Sequence, residues 1–360
     1  MSHHSHHSHG SHHSHSSHPS GGSHASGTGK RRTEKQYRKT LVLIAVMLCV
    51  LGAVLLVLDR LQEEDGPDSA QETVVINGVT CVPKKNLRTY LFMGIDNTGE
   101  DTEEYKAGGQ CDTIRLLVVD RTENTYTQLP INRNTLADVD TYDTETGEKL
   151  GTSHIQISYA HANAGDAGGP KSCENVVHSV SELLYGQKID GYLSLGMEAI
   201  ATVNRLAGGV TVTIEDDFSR DDPSLVMGET LRLSDAQAVH FVRGRMGVGD
   251  GTNEGRMRRQ NAYVEGLKEQ MTQKIKEDQS FPLEVYRSLE AYMVTDMSDK
   301  EFSRIANFLT KCESQGLVEL EGTAGIDELE FATLELDEDS LAQAVIDLFY
   351  IPVDESDASQ

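Results

Sequence analysis

The sequence predicts an α/β protein in which one transmembrane helix precedes a three-layer α/β/α domain with a central mixed sheet. Three observations lead to this class. Residues 41–58 form an uncharged run of eighteen residues, strand-like and helix-like segments alternate from Thr89 onward, and a hydrophobic content of 38% is enough for a core. Such alternation is typical of layered α/β domains.

The first predicted element is a membrane anchor over residues 41–58. About 20 apolar residues span a bilayer, and the basic run KRRTEKQYRK before the anchor predicts a cytoplasmic N-terminus, with the main domain outside the cell membrane. A cleaved signal peptide is the alternative, but no small-x-small cleavage site follows the run. Residues 1–40 are expected to be a disordered His/Ser-rich and basic cytoplasmic segment, and residues 59–87 an extracytoplasmic tether.

The charge differs on the two sides of this anchor. Of 32 Lys+Arg and 57 Asp+Glu, residues 1–40 hold six and one, which leaves 26 and 56 in the remainder and a net charge there of −30. An outward domain this acidic is not expected to bind nucleic acid through a general basic surface. An anionic ligand would therefore need a local cluster of basic side chains.

Residues 88–350 are expected to form the main domain, with an acidic tail at 351–360. Strands are predicted from segments rich in β-branched and aromatic residues, namely TYLFMGI, TIRLLVVD, TYTQLPI and VTVTIED. Helices are predicted from apolar residues at helical spacing in CENVVHSVSELLYG, MEAIATVNRLAGG and LSDAQAVHFVR. In the last of these, Ser234 is the N-cap and Gln237 the partner of a capping box.

The cysteines leave the redox state open. Cys49 lies within the predicted anchor, and the other four are Cys81, Cys111, Cys173 and Cys312. Four cysteines can pair in three ways, and free buried thiols are the preferred interpretation. No C-x-x-C motif occurs, so a structural zinc site is not expected.

The main functional signal is FVRGRMGVGDGTNEGRMRRQ, residues 241–260, which gathers five arginines within an acidic chain. Gly244 follows a predicted helix, where a C′ glycine would reverse the chain and let Arg243 and Arg245 converge. The glycine-rich loop then leads to Asn253, a good N-cap for the next helix. This loop follows a helix rather than a strand, so it does not fit the dinucleotide-binding fingerprint.

The next helix, predicted from about Glu254 to Lys276, places an arginine on its buried face. One face is shared by Arg256, Gln260, Val264, Leu267 and Met271. Arg256 and Gln260 extend this face to the helix N-terminus, where free N–H groups and the helix dipole favour an anion. Arginine suits phosphate because its planar fork donates two parallel hydrogen bonds.

The remaining arginines of this helix are assigned differently. Arg258 is off the buried face and is expected to be solvated, whereas Arg259 could be either buried or exposed. The alternative for the whole stretch is a surface helix start with scattered arginines that pair with the acidic excess.

A second candidate set lies at strand ends. Asp112 begins one predicted strand and Arg133 follows another, and ligands gather at strand ends in α/β sheets. An Asp beside arginines suggests a divalent cation, since Mg²⁺ uses one or two carboxylates and completes its shell with phosphate oxygens and water. A strand-end cap or salt bridge explains Asp112 equally well.

Taken in order, the motifs CDTIRLLVVD, INRNT, SLGMEAI, LAGGVTVTI and LSDAQAVHFVRGRMGVGDGTNEGRMRRQ resemble the LytR-CpsA-Psr family of bacterial envelope proteins, over roughly residues 88–275. The resemblance implies a domain that holds a prenyl tail in an apolar pocket and a pyrophosphate among arginines, usually with Mg²⁺. It also implies a membrane-anchored phosphotransferase that moves a glycopolymer from an undecaprenyl-pyrophosphate carrier onto peptidoglycan.

The resemblance also implies roles for individual residues. The pyrophosphate-binding residues would be Arg133, Arg243, Arg245, Arg256 and Gln260. The catalytic residues would be Asp112, Arg133, Arg243, Arg245 and Asp250. Asp112 and Asp250 are the expected metal ligands, and either could act as general base. In an alternative alignment of the loop, Asn253 rather than Asp250 would occupy the acidic position of the family.

The chain departs from the family pattern in two motifs. The family often has an arginine where this chain has Gln110, and Pro-Arg-Asp where it has Asn132-Arg133-Asn134. These changes favour an alternative function, a non-catalytic envelope module that binds lipid-linked or phosphorylated polymers in a regulatory or scaffolding role. A pyrophosphate hydrolase is a third possibility.

Overall fold

The computed structural model describes residues 73–96, 108–244 and 247–353. The predicted anchor, the segment before it, Arg245 and most of the acidic tail lie outside these residues. Among the described helices, none has both the length and the apolar character that a membrane span requires.

The described residues form strands and helices of mixed length. The strands are β1 (Val74–Ile76), β2 (Val79–Pro83), β3 (Leu87–Asp96), β4 (Gln110–Asp120), β5 (Thr125–Ile131), β6 (Leu136–Tyr142), β7 (Lys149–Gln156), β8 (Gly191–Gly196), β9 (Thr211–Thr213), β10 (Thr230–Arg232), β11 (Met293–Thr295), β12 (Glu313–Leu317), β13 (Gly322–Ile326), β14 (Ala332–Leu336) and β15 (Tyr350–Pro352). The α-helices are α1 (Tyr159–Ala162), α2 (Pro170–Leu183), α3 (Ala199–Ala207), α4 (Asp235–Arg243), α5 (Asn253–Glu277), α6 (Phe281–Leu289), α7 (Asp299–Leu309) and α8 (Glu338–Phe349).

The centre of the fold is a six-stranded mixed sheet with the order β11-β8-β3-β4-β5-β12. β3 runs parallel to β8 and β5 runs parallel to β12, whereas the other neighbouring strands are antiparallel. The segments TYLFMGI, TIRLLVVD and TYTQLPI lie in the adjacent strands β3, β4 and β5, as predicted. The mixed α/β class with a central mixed sheet is therefore confirmed.

Helices pack against both faces of this sheet. On β4, Leu116 and Val118 lie in a core shared with α2 and α8. Leu117 and Val119 lie in a second core shared with α7. A strand covered on both faces is apolar at consecutive positions rather than at alternate ones, which explains the run LLVV in this strand.

The folded domain begins before the predicted boundary at residue 88. Strands β1 and β2 lie in the segment predicted to be a tether, and β15 extends past residue 350. β15 pairs with β2, so the two ends of the domain share one three-stranded sheet. β1 and β2 form a hairpin across Asn77-Gly78. β15 and β2 lie far apart in the chain, so no local pattern indicates their pairing.

The helix ends follow local capping rules. The capping box of α4 is present: Ser234 Oγ accepts from the Gln237 N–H at 3.3 Å, and Gln237 Oε1 accepts from the Ser234 N–H at 3.0 Å. The long helix agrees with its predicted span, but its N-cap is Thr252 rather than Asn253. Thr252 Oγ1 accepts from the Gly255 N–H at 3.0 Å, which leaves the Asn253 side chain available for other contacts.

The four described cysteines are free. Cys81, Cys111 and Cys173 are buried and Cys312 is partly buried. Burial raises the pKa of the Cys173 thiol to about 12 and that of the Cys111 thiol well above its usual range. These thiols are therefore protonated at neutral pH, which agrees with the preferred interpretation from the sequence.

Candidate functional site

A cleft of about 380 Å³ opens beside the paired ends of β3 and β4. Its polar lining consists of Asp96, Gln110, Asp112, Arg133, Arg243, Arg256 and Gln260. Its apolar and aromatic lining consists of Tyr159, Met197, Val242 and Phe331. Residues predicted from two separate stretches of the chain thus meet in one cavity.

Asp112 is the centre of the charged groups in this cleft. It is buried, and its two carboxylate oxygens are held by different arginines. Oδ2 accepts from Arg256 Nη1 at 2.7 Å, and Oδ1 accepts from Arg133 Nη1. Two guanidinium groups on one carboxylate leave this trio with one net positive charge, which favours a further anion.

The third arginine of the cleft pairs with a carboxylate that was not among the predicted site residues. Arg243, the last residue of α4, places Nη2 3.6 Å from Asp96 Oδ1. Asp96 ends β3 and lines the cleft. The strand-end reasoning that identified Asp112 applies equally to Asp96, so a signal for it was present. Arg245 lies outside the described residues, and its predicted role stays a prediction.

Gln260 provides a buried hydrogen-bond donor that has no acceptor among the described residues. It lies one turn after Arg256 on α5 and lines the cleft, with 6% of its surface exposed. Within the described part of the chain, its Nε2 has no hydrogen-bond partner. A buried unsatisfied donor costs about 1–3 kcal/mol. An oxygen-bearing ligand in the cleft would remove this cost.

A chain of side-chain amides fixes the spacing of the two arginines that hold Asp112. Arg256 Nη2 donates to Asn253 Oδ1 at 2.9 Å, and Asn253 Nδ2 donates to Asn132 Oδ1 at 2.8 Å. Asn132 Oδ1 also accepts from the Asn134 N–H at 3.0 Å. The loop that carries Arg133 is thereby tied to the start of α5. Asn132 replaces the proline of the family pattern and makes a bond that proline cannot make.

Gly244 does not form the predicted left-handed reversal. Its φ of −47° and ψ of 128° lie outside the left-handed region. Glycine is required there by packing instead, because an added Cβ would lie 2.8 Å from the His240 carbonyl oxygen and 3.0 Å from Val248 Cγ2. The Gly244 carbonyl accepts from Arg259 Nη2, which holds the end of α4 against α5.

The two arginines that follow Arg256 lie outside the cleft lining. Arg259 is buried, pairs with Asp216 and stands over the Phe218 ring at 5.6 Å from its centroid. Its role is therefore structural, which settles the choice left open by the sequence. Arg258 is exposed, as predicted, and pairs with Asp250 at 3.3 Å.

Asp250 is not among the residues that line the cleft. It is exposed, and its Oδ1 accepts from the Thr252 N–H at 2.9 Å and from Thr252 Oγ1 at 2.7 Å. These hydrogen bonds, followed by Arg258, lower the pKa of Asp250 to about 2. The carboxylate supports the turn that begins α5, while its catalytic and metal-binding roles stay predictions.

Gln110 and Asn134, two of the residues that depart from the family pattern, are placed differently. Gln110 is buried and lines the cleft two residues before Asp112, so an amide stands where the family often has a cation. Asn134 is not in the lining, and its main chain bonds to Asn132 and Leu334.

Comparison with known proteins places the chain in a family. A family model described as the LytR_cpsA_psr family matches residues 59–344. Biofilm regulatory protein A of Streptococcus mutans is 27% identical over 196 residues, which cover 52% of this chain. The match spans 45% of that relative, less than half of its length.

Solved structures share the fold. A structure described as TagT bound to LI-WTA has a TM-score of 0.55 at 19% identity, covering 73% of this chain and 90% of that one. The crystal structure of B. subtilis TagV has a TM-score of 0.54 at 19% identity, covering 73% of this chain and 97% of that one. At this identity the likeness concerns the fold alone. The family model, however, matches well over half of the sequence, and the chain therefore belongs to the LytR-CpsA-Psr family.

Proposed function

We propose that this chain is a phosphotransferase of cell wall assembly that moves a glycopolymer from a polyprenyl-pyrophosphate carrier onto peptidoglycan. The observation that carries the proposal is the buried Asp112 between Arg133 and Arg256, with Arg243 and Gln260 lining the same cleft. Membership of the family supports a role in attaching glycopolymers to the cell wall. The fold shared with TagT, described as bound to LI-WTA, makes a lipid-linked glycopolymer the proposed partner.

The cleft provides electrostatic and positional catalysis. An acceptor hydroxyl would attack the phosphorus next to the sugar, and the bond from that phosphorus to the bridging oxygen would break. Polyprenyl phosphate would leave and take up the proton that the hydroxyl loses. Negative charge then grows on the leaving oxygen, and Arg133, Arg243 and Arg256 would stabilise it. Asp112 holds two of these guanidinium groups in place before the substrate arrives, so little reorganisation is needed.

The cleft lining also fits Mg²⁺. Asp96 and Asp112 are the carboxylates that the described residues contribute to the lining. In the same part of the chain, no three acidic, His or Cys side chains form a metal-binding group. Mg²⁺ requires only one or two protein carboxylates when phosphate oxygens and water complete its shell. Asp112 and Asp96 would hold the ion, and it would neutralise charge on the pyrophosphate.

The predicted anchor at residues 41–58 completes the proposal. A single span with the N-terminus in the cytoplasm would place the domain on the outer face of the cell membrane. The carrier lipid lies in the same membrane, so the cleft would remain within reach of its pyrophosphate.

The test uses the full chain in detergent with a polyprenyl-pyrophosphate-linked oligosaccharide, peptidoglycan fragments and Mg²⁺, with products followed by mass spectrometry. We expect the oligosaccharide phosphate to appear on peptidoglycan. Arg243→Ala and Arg256→Ala should each lower kcat/KM by about 10²–10³-fold, as when one charge-stabilising donor is removed. Arg258→Ala, an exposed arginine on the same helix, is the matched control and should change kcat/KM less than about twofold.

The other outcomes separate the alternatives. Tight, arginine-dependent binding without turnover would indicate the non-catalytic envelope module, which the amide of Gln110 in the cleft favours. Release of the oligosaccharide to water instead of to peptidoglycan would indicate a hydrolase. If the wild type shows no binding and no turnover, the site is rejected. Turnover that persists in EDTA would reject the Mg²⁺ assignment alone.

A further inference from the structure

The aromatic side chains Tyr159 and Phe331, here called the aromatic rim, line the same cleft as the arginines. We infer that the aromatic rim binds the sugar ring attached to the pyrophosphate and so contributes to selection of the glycopolymer. The inference rests on the proposed function, since it assumes a pyrophosphate among the arginines.

Phe331 is held at the cleft with half of its surface exposed. The turn between β13 and β14 fixes it, because the Phe331 N–H donates to Asp327 Oδ1 at 2.8 Å and the Phe331 carbonyl accepts from the Asp327 N–H at 2.9 Å. The preceding residue, Glu330, has φ of 66°, a left-handed conformation that a non-glycine residue adopts only under strain. A strained turn that presents a half-exposed aromatic ring to a cleft suggests a ligand contact.

The hairpin is bonded to the segments that carry the rest of the cleft. Gln156 Nε2 donates to Asp327 Oδ2 at 3.3 Å, and Gln156 ends the strand just before α1, which begins with Tyr159. The Leu334 N–H donates to the carbonyl of Asn134 at 2.8 Å, and Asn134 directly follows Arg133, which lines the cleft. The aromatic rim therefore has a fixed place beside the pyrophosphate-binding side chains.

The chemistry of the aromatic rim fits a sugar better than a prenyl chain or a membrane surface. Glu328 and Glu330 flank the hairpin tip and are exposed. Carboxylates accept hydrogen bonds from sugar hydroxyls, and an aromatic face offers a flat apolar surface for the C–H face of a sugar ring. The same carboxylates would be repelled by an anionic lipid surface. The aliphatic lining, Met197 and Val242, belongs to other segments and is the more suitable contact for a prenyl chain.

The test measures Kd for the full chain in detergent with two probes: farnesyl pyrophosphate, and the same lipid carrying one N-acetylhexosamine on its pyrophosphate. We expect the sugar-bearing probe to bind more tightly. The difference in Kd should be on the order of tenfold, and Phe331→Ser should remove most of it. The Kd for farnesyl pyrophosphate should change by less than about twofold in this variant. Tyr159→Ala should act in the same direction.

The control variant lies two residues away on the same hairpin. Leu329 is 75% exposed and is not in the cleft lining, so Leu329→Ser should leave both affinities unchanged. Equal weakening of both probes by Phe331→Ser would assign the ring to the prenyl or pyrophosphate group and overturn the inference. An equal effect of Leu329→Ser would point to a general apolar surface, which overturns it as well.

The proposed function is checked separately in the same assay. If Arg256→Ala no longer binds either probe, the result would support the pyrophosphate site. If the wild type binds both probes equally and Phe331→Ser has no effect, the sugar subsite alone is rejected. If the wild type binds neither probe, both proposals are rejected.

Discussion

Asp112 and Asp250 are both carboxylates beside arginine, yet their surroundings give them different chemistry. Asp112 is buried between two guanidinium groups, and each of its carboxylate oxygens accepts a hydrogen bond from one of them. Asp250 is exposed, and its strongest partners are the main chain and hydroxyl of Thr252. The first carboxylate can act on a ligand in the cleft, whereas the second supports the loop before α5.

Asp250→Asn is expected to reduce stability only where the native carboxylate is ionised. The folded pKa of about 2 lies below the usual 3.8, so the ionised form favours folding. This contribution is complete above about pH 4 and is lost as the pH falls through 2. Urea unfolding should therefore show the wild type to be more stable than Asp250→Asn at pH 6, with the gap closing towards pH 2.

Turnover of the same variant tests the roles predicted for Asp250 from the sequence. If the Asp250 carboxylate only supports the loop, Asp250→Asn should change kcat/KM at pH 7 by less than about twofold. A loss of about 10²-fold or more would instead place Asp250 in the catalytic or metal-binding set.

At the scale of structural elements, the site depends on how the loop after β5 meets the start of α5. Asn253 joins them, because it bonds to Arg256 on its own helix and to Asn132 in the loop. Asn253→Ala should lower the free energy of unfolding by about 1–3 kcal/mol. It should also lower kcat/KM by about tenfold, since Arg256 loses one of the acceptors that orient it.

The control for this variant is Glu254→Ala. Glu254 accepts from Asn132 Nδ2 at 3.3 Å on the exposed side of the same contact, so its loss should leave turnover and stability nearly unchanged. If Asn253→Ala lowers stability but leaves kcat and KM intact, the amide contact has a structural role only.

The helices were predictable from local sequence, whereas the contacts between elements distant in the chain were not. The capping box at Ser234 and the span of α5 depend on residues that are close in sequence, so local sequence patterns identify them. The buried positions of Arg256 and Gln260 follow from helical spacing in the same way. Thr252 and Asn253 are both good N-caps by residue type, and the sequence does not show that the Asn253 side chain contacts the distant loop instead.

The missed part of the site consists of residues brought in by long-range pairing. Phe331 reaches the cleft because a hairpin near the C-terminus bonds to the main chain beside Arg133 and to Gln156. Tyr159 lies on a helix too short to show periodicity. No local pattern connects these residues to the arginines. Asp96 is different, since its position at a strand end was visible in the sequence.

At the scale of the whole domain, stability comes from packing and strand pairing rather than from disulfides. Reductant should shift the Tm of the native chain by less than about 1 °C, because the described cysteines are free. Cys111 and Cys173 should also react with iodoacetamide only after denaturation, since burial keeps both thiols protonated. A fall in Tm of several degrees with reductant would show that a disulfide forms.

Gln260 Nε2, which has no acceptor among the described residues, implies a conflict between stability and activity at one position. An apolar residue of similar size, such as leucine, would remove the unsatisfied amide and make the ligand-free domain harder to unfold. The same change would delete a hydrogen bond to a bound oxygen. Under the proposed function, the side chain that best stabilises the ligand-free protein is therefore not the one that binds the substrate, as expected where activity limits stability.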